Sequence, residues 1–270
     1  MKRNKIFILL ITYCFLCAGV LLDGVDDYLV VTATGVSDFE PIKKLSVAMW
    51  VKRTGACEDD ADLFHKSINN GTATPYNSWV LQCNGASDID YIVYITCAGT
   101  RRHTATVTLL PIADVWVHLV VTFDRDGGDQ PIITIYKDGV SVLNETLVVT
   151  GNITYETDAG EGHLYFGAEG TEGTHSGAFH YAEIAYWKDI VLTAPEVEIL
   201  AKSKIKYMPL QIQKANLKLY LPLHDLKDGI SANAGTFSDM SGNGHNATGD
   251  DGAKNTGCTA KGEEILTYPR

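Results

Sequence analysis

Three acidic clusters stand out in this 270-residue chain. Asp23, Asp26 and Asp27 fall within one turn. Asp124, Asp126 and Asp129 form an Asp-x-Asp-Gly-Gly-Asp stretch between two apolar runs. Asp239 opens the segment Asp239-Met240-Ser241-Gly242-Asn243-Gly244. Carboxylates and turn carbonyls grouped on loops suit calcium, which takes six to eight oxygen ligands. Calcium is therefore the cofactor these loops would take, with Asp23, Asp26, Asp124, Asp126, Asp129 and Asp239 as candidate ligands. The second cluster has the first half of an EF-hand pattern but no closing Glu, and a solvated hairpin tip accounts for it better.

Aromatic side chains offer a second chemistry, since sugar recognition pairs aromatic faces with polar rims. The four tryptophans are Trp50, Trp79, Trp116 and Trp187. Trp79, preceded by Tyr76 and Asn77, is the tryptophan expected on a loop rim, with Tyr94 as a further ligand-binding candidate. Glycoside hydrolysis needs two carboxylates flanking the scissile bond. Glu183 is followed by Ile184, Ala185 and Tyr186, with no second carboxylate two residues on, so a framework hydrogen bond or salt bridge is its expected role. His118 lies in an apolar run and reads as a structural histidine. No nucleophile elbow, zinc-protease helix or phosphate loop is present. The chain is not expected to be an enzyme.

The balance of 22 Lys and Arg against 33 Asp and Glu gives a net charge of −11. A surface that tracks phosphates needs excess cation, so nucleic acid is excluded as a partner. The basic head Met1-Lys2-Arg3-Asn4-Lys5 and the apolar run from Ile6 to Leu22 have the layout of a secretory leader, expected to occupy residues 1–19. A membrane partner is expected only if that leader is retained. Secretion would let the remaining cysteines, Cys57, Cys83, Cys97 and Cys258, form disulfides. Cys83 sits before a tight turn, which would place it opposite a residue near Asp90, so Cys57 is the expected partner of Cys83 or Cys97. Asn70, Asn144, Asn152 and Asn246 carry glycosylation sequons.

The elements that must position these residues are strands. Leu45, Val47, Met49 and Val51 alternate with Ser46, Ala48, Trp50 and Lys52, the period of a strand with two distinct faces. Similar runs recur through Trp79–Cys83, Tyr91–Ile95, Thr104–Leu109, Trp116–Phe123, Ile132–Tyr136, Val140–Leu143, His163–Phe166, Phe179–Trp187 and Leu217–Leu223. Asp138-Gly139 supplies the positive φ of a tight hairpin. One helix start is clear: Thr193 as N-cap, Pro195 in the first turn and Glu196 completing a capping box. That helix is expected to reach about Lys204, with Val197, Ile199 and Leu200 turned inward. Many short strands and one short helix predict an all-β fold, a two-sheet antiparallel β-sandwich.

Several stretches resemble laminin-G-like domains of the concanavalin A-like jelly-roll superfamily. They are Leu21–Val30, Leu45–Lys52, Trp116–Asp124 with Ile135–Val140, Ala182–Trp187 through Glu196, and Phe237–Thr248. The resemblance implies a jelly roll over residues 20–248, with 249–270 as a loosely held tail. It also implies framework positions, and hence core packing, for Trp50 and Trp116. Two departures stand out: Ala182 occupies a position that is Asp in many relatives, and the Ser-Gly-Asn-Gly segment falls late in the chain.

These readings combine into a secreted, non-catalytic recognition domain that binds a glycan or a surface protein with calcium assistance. The alternatives are a structural or adhesive component of a virion, phage or cell-surface assembly, and a glycoside hydrolase.

Overall fold

The structure is a computed structural model. It describes residues 19–25, 27–32, 37–39, 43–54, 61–67, 77–84, 88–95, 101–108, 115–125, 131–146, 163–168, 176–203, 208–223, 235–250 and 262–263. The strands, in chain order, are β1 (Gly19–Asp23), β2 (Tyr28–Thr32), β3 (Lys44–Arg53), β4 (Asp62–Ser67), β5 (Asn77–Asn84), β6 (Asp88–Ile95), β7 (Arg101–Thr108), β8 (Val117–Asp124), β9 (Ile132–Lys137), β10 (Val140–Thr146), β11 (His163–Phe166), β12 (Ala178–Lys188), β13 (Leu217–Leu221), β14 (Thr236–Phe237), β15 (Ala247–Asp250) and β16 (Gly262–Glu263). A single α-helix, α1 (Ala194–Lys202), is described.

Two eight-stranded sheets form. The first runs β10-β9-β8-β3-β12-β1-β16, with β13 also on β12. The second runs β14-β15-β2-β11-β4-β5-β6-β7. The pairings are antiparallel, and the expected β-sandwich is the fold observed. The core lies between the sheets, where Leu45, Val47, Met49 and Val51 of β3 meet Leu29, Val31, Phe64, Leu81 and Phe166 of the second sheet. The alternation read in β3 is the one observed. Tyr181 crosses this core and its hydroxyl donates to the Leu63 carbonyl at 2.9 Å, tying one sheet to the other. Burial removes water from the phenol and holds its pKa well above the usual value, with the Asp62 charge adding to the effect.

The Asp138-Gly139 turn joins β9 to β10 with φ of 51° and 84° at its two residues. Gly139 is also required for space, because a Cβ there would sit 3.2 Å from the Glu198 backbone of α1. The helix begins as expected: the Glu196 carboxylate accepts from both the Thr193 N–H and the Thr193 hydroxyl, each at 2.8 Å. It ends at Lys202, and only Val197 and Leu200 turn inward. Ile199 is 49 % exposed, because one stripe of a two-turn helix cannot bury three such closely spaced residues.

The expected boundary at residue 248 falls inside β15, which runs to Asp250, and Gly262–Glu263 pair with β1. Residues 1–18 of the expected leader lie outside the described residues, as do Cys57, Cys97 and Cys258. Cys83 is fully buried in β5, faces Ile89 across the hairpin and is disulfide-bonded; its partner is outside the described residues. No described helix is long and apolar enough to cross a membrane.

Candidate functional site

The alternation of β3, β8 and β12 sends a second set of side chains to the outer face of the first sheet. Trp50 pairs in register with His118 on one side and Ala182 on the other; Lys52 pairs with His180. Half of this face is covered. Val197 and Leu200 of α1, with Met208 and Ile212, pack on Ala48, Val120, Ala185 and Trp187. The cover is pinned by polar contacts. The Ser46 hydroxyl donates to the Ile190 carbonyl and accepts from the Leu192 N–H, both at 3.0 Å, and Trp187 Nε1 donates to the Ile212 carbonyl at 2.8 Å.

Beyond the edge of that cover lies an aromatic and cationic patch. Trp116 packs on Trp50 and Ala182. Lys52 Nζ lies 5.6 Å from the centre of its ring, and the His180 ring meets it edge-on at 6.0 Å. Gly19 makes room for the indole, since a Cβ there would fall 3.2 Å from Trp116 Cη2. Trp116 is half-buried on the outer face and not in the core expected for it, because it comes just before β8 in step with the outward-facing His118, whereas Trp50, Trp79 and Trp187 are all at most 3 % exposed. Burial lowers the His180 pKa to about 4, with the Lys52 charge acting in the same direction.

Between the patch and the helix a small cleft opens to solvent. It is lined by Trp50, His118 and Glu183, with Leu200, Ser203 and Met208 on the covering side. Glu183 reaches it through an irregularity in β12. The pairing with β3 slips between Ala182 and Ala185, and Glu183 has φ of +53°. Simple alternation after Ala182 would send Glu183 into the core between the sheets. The bulge turns it outward and lets Ile184 resume the inward position. A non-glycine residue in that conformation costs roughly 1–2 kcal/mol. Its carboxylate accepts a short hydrogen bond from the Tyr220 hydroxyl, the framework bond expected of it. His118 is 3 % exposed, its ring lies 5.1 Å from that of Trp50, and Nδ1 has no hydrogen-bond partner. Burial lowers its pKa to about 3, so the imidazole is neutral at physiological pH. The strand carrying it is fixed by a reciprocal pair: the His118 N–H donates to Asp138 Oδ1 at 3.0 Å, and the Asp138 N–H donates to the His118 carbonyl at 2.8 Å.

The residues expected to bind ligand fall elsewhere. Trp79 is not on a rim. It is 2 % exposed in the inter-sheet core, edge-on to Phe64 at 4.9 Å and stacked on Tyr186 at 6.1 Å. The reason is its place in β5, beside Lys66 of β4 and Val93 of β6, where Leu81 and Cys83 share its inward face. Asn77 begins β5 and Tyr94 pairs with Arg102; Tyr76 lies outside the described residues.

The described aspartates do not assemble a calcium site. Asp239 holds its own loop: Oδ1 accepts from the Tyr220 and Ser241 N–H groups at 2.9 Å, and Oδ2 from the Ser241 hydroxyl at 2.8 Å and the His245 N–H at 3.0 Å. Asp23 Oδ1 accepts from the Val25 N–H at 2.8 Å, and Asp124 pairs with Lys44 at 3.7 Å. Asp27, not Asp23, is the buried member of the first cluster, and its Oδ2 accepts from the Asp23 N–H. Asp26, Asp126 and Asp129 lie outside the described residues. Among the described residues no group of three or more His, Cys, Asp or Glu is placed to hold a metal ion.

A further polar cluster sits on the outer face of the second sheet. His65 Nδ1 lies 3.0 Å from Asp62 Oδ2, and the imidazole stacks on Tyr165 at 4.9 Å. All three are buried, and loss of water raises the Tyr165 pKa to about 12. A cluster so closed to solvent is a packing feature of the sheet, not a surface for a ligand.

This sandwich of two antiparallel sheets is the architecture of a large class of lectin-like domains. The chain belongs to the concanavalin A-like lectin/glucanases superfamily, whose laminin G-type family model matches residues 23–198. No curated protein matches it in sequence. Among solved structures it is similar to a native heptameric SAP-like pentraxin from Limulus polyphemus, at 13% identity and TM-score 0.47, covering 68% of this chain and 82% of that one. It is also similar to the binding domain of botulinum neurotoxin DC in complex with rat synaptotagmin II. There the identity is 10% and the TM-score 0.44, over 76% of this chain and 45% of that one. A third is a Trypanosoma rangeli sialidase, at 14% identity and TM-score 0.46, over 73% of this chain and 28% of that one. The chain thus spans most of the pentraxin but under half of the other two.

Proposed function

We propose that this protein is a non-catalytic recognition domain that binds a glycan or a surface protein on the outer face of its first sheet. One observation carries the reading. Trp116 is the tryptophan left partly open to solvent, and it is framed by Lys52 and His180. An aromatic face with a polar margin suits a sugar ring, which stacks its C–H face and bonds its hydroxyls at the edge. Membership of a lectin-like superfamily supports the choice of ligand, as does a Glu183 with no second carboxylate two positions on. Calcium assistance would have to come through the aspartate loop around Asp126 and Asp129. Secretion after removal of residues 1–19 would bring the domain to extracellular glycans.

The test is a broad glycan array probed with residues 20–270, with calcium and again with chelator, alongside Trp116→Ala. Glycan binding that Trp116→Ala abolishes is the expected result. Binding indifferent to Trp116 would place the site elsewhere, and loss with chelator would send the search to the aspartate loops.

The adhesive alternative has one observation in its favour. β10 is an edge strand of the first sheet with Val140 61 % and Val142 41 % exposed, and open apolar edges invite pairing with another chain. Sedimentation at micromolar concentration separates the two readings: the recognition reading needs no association.

A further inference from the structure

The cleft beside Trp50 has the chemistry of a site in its own right. His118 is almost wholly buried, yet its Nδ1 has no partner. Buried polar atoms without partners are uncommon, because each costs about 1–3 kcal/mol in lost hydration. Glu183, which lines the same cleft, is held in a strained backbone conformation that turns its carboxylate outward. Strain of this kind persists where the surrounding structure enforces it, and it concentrates at sites of function. The two groups line one opening together with Trp50, whose ring lies 5.1 Å from that of His118.

We propose that this cleft is a subsite for a hydroxyl-bearing arm of a neutral saccharide, with His118 and Glu183 as its hydrogen-bonding walls. The proposal rests on the recognition reading above and gives it a second point of attachment. A hydroxyl both donates and accepts. It can donate to the Glu183 carboxylate, whose two oxygens accept more than one hydrogen bond, and pair with an imidazole nitrogen of His118 in either tautomer. An ammonium only donates, so it could not serve a protonated ring nitrogen. A carboxylate or phosphate would meet Glu183 as a like charge. Trp50 links the two places: it packs against Trp116 on one side and lines the cleft on the other. A sugar lying on Trp116 could therefore lower a substituent into the cleft.

The experiment uses the full chain, labelled with 15N at histidine and tryptophan, and titrates it with the methyl glycosides of glucose, galactose, mannose and N-acetylglucosamine. Methylamine serves as the cation control. At least one glycoside is expected to move the ring-nitrogen resonances of His118, with no response to methylamine. Glu183→Gln, which keeps the shape, and His118→Phe, which keeps the ring, are each expected to weaken that glycoside about tenfold, the loss of one hydrogen bond in a buried site. If His118→Phe fails to fold, the His118 resonances of the unaltered chain and Glu183→Gln still decide. Glycoside binding that moves Trp116 but not His118, with both variants binding as tightly as the unaltered chain, would overturn the subsite and leave the recognition reading standing. A response to methylamine alone would overturn it too. Silence toward every glycoside and every arrayed glycan would remove the subsite together with the glycan half of the recognition reading, leaving only a surface protein as its ligand.

Discussion

Replacing Trp79 with alanine separates a core tryptophan from a rim tryptophan by a wide margin. In the core, the substitution removes an indole that is 2 % exposed and packs against Phe64 and Tyr186. Truncation of a buried Trp costs about 3–5 kcal/mol, the sum of lost transfer energy and an unfilled cavity. At this chain length about 1 kcal/mol corresponds to roughly 2–4 °C in Tm, so Trp79→Ala should lower Tm by about 6–20 °C. A tryptophan on a solvent rim would change stability by less than about 0.5 kcal/mol. Trp79→Phe provides the internal control. Trp79 Nε1 has no hydrogen-bond partner, so the smaller ring gives up packing volume but no polar interaction, and its loss should be a fraction of the alanine value. Thermal melts followed by circular dichroism, with glycan binding measured on the fraction that remains folded, check both points. A Tm within about 2 °C of the unaltered chain, with glycan binding abolished, would refute the placement of Trp79 and restore it as a ligand contact.

Three further outcomes are expected. His118 and His180 are held at about 3 and about 4, below the ordinary 6.5, so the folded state refuses protons that the unfolded chain accepts. Their contribution is complete above pH 6.5 and is lost as pH falls to about 4 for His180 and to about 3 for His118, by up to about 1.4 kcal/mol per pH unit for each histidine. Urea midpoints that do not move between pH 7 and pH 5 would contradict this. Asp239→Ala removes the acceptor of four hydrogen bonds that organise residues 239–245 and the edge of β13; a loss of about 2–4 kcal/mol in urea unfolding is expected, at the scale of bonds to a charged group partly offset by water. A non-reducing peptide map should join Cys83 to Cys57. The Cys83 N–H bonds the Ala61 carbonyl at 2.8 Å, which brings the start of β4 alongside Cys83 four residues after Cys57; a Cys83–Cys97 peptide would decide against it.

Much of the fold is legible in the residues themselves. The two faces of β3, the Asp138-Gly139 hairpin and the Thr193 cap follow from local rules that the sandwich leaves intact. The alternation Val117, Leu119, Val121, Phe123 also puts Trp116 and His118 together on the other face of β8, so their proximity to Trp50 had a sequence signal. Trp79 shows where such signals stop. In Trp79-Val80-Leu81-Gln82-Cys83 both faces carry apolar residues, and a period of two tells which residues share a face but not which face meets the other sheet. Glu183 shows a second limit. Nothing in Ala182-Glu183-Ile184 marks a bulge; it arises where β12 changes neighbours, and no local preference encodes that. Asp239 had the composition of a metal ligand, but the donors that occupy it come from β13 and from its own turn, a matter of three-dimensional placement.

The long strand β12 changes neighbours along one of its edges. Its first half, Ala178 to Tyr181, pairs there with β1, and its second half, Ile184 to Trp187, pairs with β13, about two hundred residues further along the chain. One continuous strand thus carries two separate reporters. Exchange of amide hydrogens along that edge would slow for the first half only when the segment from residue 19 has docked, and for the second half only when the segment from residue 217 has. Glu183, at the seam, donates its N–H to the Pro222 carbonyl at 3.5 Å and would report with the second half.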